Sequence, residues 1–597
     1  MPLFIFFAHF LHTKRTPYAT FNLPQKNERG VLMFKDYNIN QLVLPLNFEM
    51  SLQENDIAFA INDLVESIPE EAFDAFKKTT GCPAYPPRMM LKIILCGYTQ
   101  SVFSGRKIEA LLKDSLRMMW LAQGHEPSYR TINRFRVNPS VNTLLQQCFV
   151  QFRCQLIQAK EIEEEAIFID GTKIEANANK YTFVWKKAVD KYSAALIEKS
   201  KEKYQKLVEQ LIIPALESDH DDELSIEDLE TISDSLQEVV DNLTDRIEES
   251  DDVAERKALR SERKWPKQHL KLFKDFIERK MKYTQSQEVF DGRNSYSKTD
   301  KDATFMRMKE DHMKNGQLKP GYNVQIATEG QYTLAYALYP NPTDTRTLIP
   351  FLNRIESNFF SLPHYIVADA GYGSEQNYHD IIENRGLTPL ITYNNYRKEK
   401  KKKYKQNPFI VDNWTYIAED NVYICPNDKR VTYQYESHRK DRYGFVRTFD
   451  VYECEDCHGC PLREHCTKAK EGNNRRVYIN KIWEQQKAYI RAKLSDEKTG
   501  KIYGKRKIDV EPVFGFLKAI LGFTRFSLRG KERVENELGF ALMAVNLRKF
   551  AANISTTFFE NENTKNKTGC DLLSRKSHPV FTSYFRVLSQ THFYISI

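Results

Sequence analysis

Three acidic residues stand where carboxylates do chemistry. Asp170 ends the apolar run Ala166-Ile167-Phe168-Ile169 and is followed by Gly171-Thr172. Asp369 ends Tyr365-Ile366-Val367-Ala368 and is followed by Ala370-Gly371-Tyr372. Short apolar, β-branched runs that stop at glycine read as buried strands. A carboxylate at the last residue of such a strand lies at a sheet edge, where function collects. Glu511 has other neighbours: Tyr503, Arg506 and Lys507 before it, Pro512 directly after it, and Lys518 further on. Two strand-end aspartates and a glutamate ringed by basic and aromatic side chains suit phosphoryl transfer with two Mg²⁺ ions. Hard oxygens hold the metals, the metals carry the attacking and leaving oxygens, and cations hold the phosphates.

The elements that must position these acids follow from the flanking patterns. The segment 321–327 and the segment 332–338 alternate like paired strands, and 388–393 reads as a further strand after a helix over about 374–384. Strand, helix, strand is the α/β half of a mixed sheet. Pro512 suits a first helical turn, which puts Glu511 in extended backbone just before the last helix group. Asp344, in Asn341-Pro342-Thr343-Asp344-Thr345, reads as a turn or helix-cap residue, with a fourth acid near the site as the alternative. Asp302 is read the same way.

Residues 86–155 read as consecutive short helices. One follows Pro86-Pro87, one runs from Gly105 through Leu121, and a third starts at the N-cap candidate Ser128. The third carries Arg130, Asn133, Arg134 and Arg136. A helix-turn-helix reader would set such residues against phosphates and base edges, and a surface helix with solvated arginines has the same pattern. In the highly charged segment 187–283, Leu229, Ile232, Leu236, Val240, Leu243 and Ile247 recur at helical steps. This predicts a helical hairpin inserted between the first two acids, a structural or self-association element, with DNA contact as the alternative. The Lys-rich run 397–405 is a solvated linker or a non-specific DNA contact.

Residues 412–480, rich in Tyr, Val, Thr and Phe, predict a small β insertion. Cys425, Cys454, Cys457, Cys460 and Cys466 crowd into it. Cys425, Cys457, Cys460 and Cys466 form a plausible four-thiolate set for structural Zn²⁺, with Cys454 and His458 as spares. Reduced, unligated thiols on a turn are the other reading.

The chain has 597 residues and ten cysteines, with a net charge of +8 and 12% aromatic residues. That length supports several domains, and the aromatic content argues against disorder. The mild basic excess permits nucleic-acid binding without establishing it. The apolar start, Met1 to Leu11, carries its positive charge after the apolar stretch and is too short to span a bilayer. No secretory pattern supports disulfides, and a soluble cytoplasmic protein with reduced thiols is expected.

The ordered acids and their flanks resemble bacterial insertion-sequence transposases of the DDE class. Asp170 matches the Asp-Gly-Thr motif, Asp369 the Ala-Asp-Ala-Gly-Tyr-Gly motif, and Glu511 the Tyr-Arg-Glu-Lys signature. Four residues separate Arg506 from Glu511, where the signature has three; Lys507 restores that gap. The resemblance spans roughly residues 33–550. It implies a ribonuclease-H-like α/β core, a mixed sheet with flanking helices, assembled from 161–186, 300–411 and 500–553. It also implies a helix-turn-helix-like all-α DNA-binding domain over 33–160, a helical insertion over 187–299 and a β/Cys-rich insertion over 412–499. Residues 1–32 read as an extension without a role and 554–597 as a tail. Asp170, Asp369 and Glu511 would bind two Mg²⁺; Tyr503, Arg506 and Lys518 would hold the transposon-end backbone. The implied partners are transposon-end and target DNA and a second copy of the chain, at the nucleoid, with no membrane. A nuclease without strand transfer, a DNA-binding protein with an inactive core and a zinc-organised scaffold are the rival readings.

Overall fold

The structure, a computed structural model, describes residues 52–53, 56–77, 83–216, 223–308 and 317–567, with side chains as far as 553. The expected extension at 1–32, the family-like start at Met33 and the tail beyond 567 lie outside the described residues.

Among the described residues six α-helices come first: α1 (Ile57–Glu66), α2 (Pro87–Thr99), α3 (Gly105–Asp114), α4 (Leu116–Ala122), α5 (Tyr129–Arg136) and α6 (Ser140–Gln158). The single helix expected from Gly105 through Leu121 is two. Ser115 adopts an extended conformation between them, at a residue type that favours helix starts over helix interiors.

Strand β1 (Ala166–Glu175) enters the main sheet, and β2 (Phe183–Trp185) leads into three helices: α7 (Lys186–Glu209), α8 (Ile226–Glu249) and α9 (Val253–Phe290). A reciprocal capping box between Ser225 and Asp228 starts α8. Its Leu229, Ile232, Leu236 and Val240 bury against Leu270, Phe273 and Phe276 of α9, so the apolar stripe is a helix-packing seam. Strand β3 (Ser295–Ser297) pairs with β2 and closes the base of this excursion.

The main sheet is completed by β4 (Thr304–Arg307), β5 (Leu318–Glu329), β6 (Tyr332–Tyr339), β7 (Tyr365–Ala368) and β8 (Thr388–Ile391), with α10 (Leu348–Asn358) before β7 and α11 (Glu375–His379) after it. The order is β4-β5-β1-β7-β8, with β6 also on β5. β5 is antiparallel to β1, and β7 and β8 run parallel to it.

Two short helical turns, α12 (Tyr396–Glu399) and α13 (Lys402–Lys405), carry the Lys-rich run. A second, antiparallel sheet follows: β9 (Thr415–Ile417), β10 (Val422–Ile424), β11 (Arg430–Lys440), β12 (Val446–Cys454) and, after α14 (Arg463–Cys466), β13 (Arg476–Ile479). Helices α15 (Lys481–Ser495), α16 (Glu497–Gly515) and α17 (Lys531–Lys567) end the described chain. α16 lies on β1, β5, β7 and β8, whereas α17 packs on β6, α1, α2 and α6. One continuous apolar core therefore joins the N-terminal helices to the main sheet. Among the described residues no helix is long and apolar enough to cross a membrane.

Candidate active site and nucleic-acid interface

Pairing between β1 and β7 ends at Ile169 opposite Ala368. The next residue on each strand is an acid, Asp170 and Asp369, so the two sit on neighbouring strands about 5 Å apart in backbone spacing. Asp170 is not the last residue of its strand, as the sequence suggested. β1 continues to Glu175 because β5 is long enough to pair with it, from Asp170 opposite Ile326 to Glu175 opposite Gly321. The parallel partner ends at the acids and the antiparallel one does not.

Asp369 is set by a tight turn, its Oδ1 accepting from the Gly371 backbone N–H at 2.8 Å. The Thr345 hydroxyl donates to the Gly371 carbonyl at 2.6 Å. On the pleat face opposite Asp170, Asp344 Oδ1 accepts from Asn323 Nδ2 at 2.8 Å and Gln325 Nε2 at 3.0 Å. Gln325 in turn accepts from the buried Tyr372 hydroxyl. A Cβ at Gly171 would stand 2.7 Å from Asp344 Oδ1, so this network needs glycine there. Burial first, then the charges of Asp344, Asp170 and Asp369, hold the Tyr372 hydroxyl protonated well above the ordinary phenol range. Asp344 is thus more than a turn residue: it pins the loop after β6 beneath the strand that carries Asp170. The signal was present in the sequence, in Asn323 and Gln325, two amides on one face of an otherwise apolar strand.

Helix α16 and the segment between it and α17 bring the basic set. Arg506 Nη1 lies 3.8 Å from Asp170 Oδ2, both side chains largely buried. Lys518 Nζ donates to the Thr172 hydroxyl at 2.7 Å and the Lys173 carbonyl at 3.1 Å. The Tyr503 hydroxyl meets that of Thr392 at 3.2 Å, just past β8. Arg525 reaches the Ala176 and Ala178 carbonyls, and Arg529 the Asn177 carbonyl.

Glu511 is on α16 itself and exposed. The helix does not begin at Pro512; it runs through it. Proline removes one N–H, and the carbonyl it would have served, that of Ile508, accepts instead from Gln331 Nε2 at 2.9 Å. Among the described residues no three His, Cys, Asp or Glu side chains stand at metal-holding geometry. Asp170 and Asp369 are brought together, and Glu511 is not closed onto them. The donors nonetheless suit Mg²⁺: carboxylate oxygens of two adjacent aspartates, a third carboxylate on the helix above, and cations at the rim.

The α5 residues separate into two kinds. Arg130 and Arg134 are exposed, with Tyr129 flanked by the guanidiniums of Arg106 and Arg130. Asn133 packs against Gly105 at the start of α3. Arg136 is 3% exposed and pairs with Glu537 of α17, itself 1% exposed, at 3.3 Å. It also donates to Tyr98 OH at 2.6 Å and to the Phe103 carbonyl at 3.0 Å. Unlike Arg130 and Arg134, Arg136 is turned into the protein, where Glu537, Tyr98 and Phe103 hold its Nη atoms.

All five clustered cysteines line one small cavity in the second sheet, and all are free thiols. His458 is not among the lining residues.

Residues 424–551 match the family model described as a transposase DDE domain, and residues 46–138 match a transposase domain of the DUF772 type. The first match contains Glu511, Arg506 and Lys518; the second contains α5. No curated protein and no solved structure matches the chain. The two matches support a DDE-type insertion-sequence transposase.

Proposed function

We propose that this chain binds transposon ends and performs Mg²⁺-dependent phosphodiester cleavage and strand transfer through Asp170, Asp369 and Glu511 on a ribonuclease-H-like core. The observation that carries this reading is the shared end point of the β1–β7 pairing. It sets Asp170 and Asp369 side by side, beneath a helix that bears Arg506 and Glu511, with Lys518 on the helical turn that follows it.

Asp170 and Asp369 would hold the metals, with Glu511 completing the set as α16 settles on bound DNA. Two bound Mg²⁺ would supply an activated attacking oxygen and charge stabilisation for the leaving one. Arg506, beside Asp170, is placed to balance the acids' charge before DNA arrives and to take a backbone phosphate afterwards. Lys518 clamps β1 through Thr172 and Lys173, fixing the strand on which Asp170 rides. Tyr372 stays protonated and holds the Gln325–Asp344 network under Gly171. The exposed Arg106, Arg130 and Arg134, with the half-buried Tyr129 between them, form a basic and aromatic surface suited to duplex DNA. The exposed lysines of α12 and α13 add a sequence-independent phosphate contact.

The test is a strand-transfer assay with the full chain, Mg²⁺ and labelled DNA bearing the inverted repeats that flank its reading frame. Joined products at target DNA are expected. Cleavage without joining would assign a nuclease instead, and binding without cleavage would assign a DNA-binding protein with an inactive core.

A further inference from the structure

The second sheet has a small apolar cluster of its own at its cysteine end. That cluster is Val431, Tyr452 and Val477 with Cys425, Cys454 and Cys457, backed by the partly buried Val411, Trp414, Tyr423 and Ile479, and most of β11 is exposed. So small a cluster would gain much from a staple. At its end lies a cavity of about 20 Å³, lined by the five cysteines with Trp414 and Arg475, room for about one ion or water.

Four of the five thiols sit on tight turns or at a helix end. Cys425 opens a turn in which its carbonyl accepts from Asp428 N–H at 2.9 Å and its own N–H donates to Lys429. Asp428 is left-handed there, at φ 55°. Cys457 and Cys460 flank Gly459, left-handed at φ 61°. Cys460 leads into α14, whose last residue is Cys466. Protein N–H groups point at three of these sulfurs: Asn427 N–H at Cys425 Sγ (3.4 Å), Arg475 N–H at Cys457 Sγ (3.3 Å) and Arg475 Nη1 at Cys466 Sγ (2.8 Å). Donors aimed at sulfur favour the thiolate, the form that binds metal. Cys454 differs. It ends β12 opposite Val431, and its Sγ donates to the Asp456 carbonyl at 3.7 Å.

We propose that this cavity is a structural zinc site, with Cys425, Cys457, Cys460 and Cys466 as its ligands and Cys454 as a non-ligand thiol behind them. Four thiolates from turns and a C-x2-C step suit tetrahedral Zn²⁺, whereas soft sulfur excludes the Mg²⁺ of the catalytic acids. No three of these side chains stand at metal-holding geometry; ligation would draw the sulfurs inward and release Arg475 from Cys466. Arg475 also lies over Trp414, 4.5 Å from its ring, and donates to the Phe409 carbonyl. Occupancy therefore reaches the segment that follows the Lys-rich run. The site stands apart from the catalytic acids, so this inference does not rest on the transposase reading.

The full chain, purified under reducing conditions without added metal, should contain about one zinc per chain. Cys457→Ser and Cys460→Ser should lose it, and Cys454→Ser should keep it. Co²⁺ in place of zinc should give the intense visible bands of a tetrahedral thiolate site. Where a serine variant fails to fold, a mercurial titration of the wild-type chain still decides, since zinc should leave as four thiols react. Zinc-free protein with all thiols reduced would overturn the proposal. So would a Cys457–Cys460 disulfide, or loss of zinc from Cys454→Ser as complete as from Cys457→Ser.

Discussion

Arg136→Ala should unfold the protein more readily without acting as a DNA-contact variant. Its guanidinium joins α5 to α17 through Glu537, with further bonds to Tyr98 and the Phe103 carbonyl. Removing one partner of a buried ion pair costs about 3–5 kcal/mol, because the other charge is left uncompensated. Here the lower end applies. Glu537 keeps the backbone N–H groups of Ser527 and Leu528 and the Ser527 hydroxyl, so its carboxylate is not orphaned. The freed Tyr98 hydroxyl and Phe103 carbonyl add to the loss, which makes about 3 kcal/mol the expected effect. Urea unfolding followed by far-UV circular dichroism reads this as a lowered midpoint with an unchanged slope. Pairing Arg136→Met with Glu537→Leu should not restore the stability, since it also strips the Ser527 and Leu528 N–H groups of their acceptor. DNA affinity per folded molecule, and its salt dependence, should match wild type. Wild-type stability with a shallower salt slope for DNA binding would refute the reasoning and return Arg136 to the DNA surface.

Arg134→Ala, by contrast, should leave stability unchanged and weaken binding to transposon ends more than to random DNA, by about 1–3 kcal/mol if it reads a base edge; competition binding checks this, and equal weakening on both would make it a phosphate contact. Gly171→Ala should lower the melting temperature and phosphodiester cleavage together, because the new Cβ meets Asp344 Oδ1 at 2.7 Å and such overpacking costs about 1–3 kcal/mol; scanning calorimetry and a cleavage assay read both. Asp509 accepts from the Thr328 hydroxyl at 2.6 Å, yet burial, the largest cause, raises its carboxyl above the ordinary carboxylate value. The folded state therefore holds that proton more tightly than the unfolded chain. Its contribution to stability is full below the ordinary carboxylate value, about pH 4, and is lost as pH rises through the raised one. Asp509→Asn, which keeps the neutral form, should flatten that fall in denaturant midpoints taken across the same range.

The strands that carry the aspartates were legible because apolar β-branched runs ending at glycine have few other readings. The α8 stripe was legible for the same reason, its six apolar positions allowing one helical face. What escaped depended on partners distant in sequence. β1 passes through Gly171-Thr172 because β5, more than a hundred residues on, offers a matching ladder. Pro512 sits inside α16 because Gln331 takes over the carbonyl it leaves free. Arg136 looked like its exposed neighbours Arg130 and Arg134, and only Glu537, 401 positions away, makes its burial tolerable. The five cysteines announced a common site by proximity, whereas the distinct place of Cys454 required the β12 register. Glu511 was marked by the company of Tyr503, Arg506 and Lys518, but the sequence could not say whether α16 already presses it onto the aspartates.

Glu511 is therefore where the account is most exposed. The decisive measurement is Mg²⁺-dependent cleavage of end-bearing DNA by Asp170→Asn, Asp369→Asn, Glu511→Gln and their double mutants, with binding measured in Ca²⁺. Each single change should reduce cleavage by roughly a thousandfold or more, and doubles should be little worse, because residues that act as one unit are not additive. Binding should persist throughout. Near-wild-type cleavage by Glu511→Gln, or independent and additive losses among the three, would contradict the shared site.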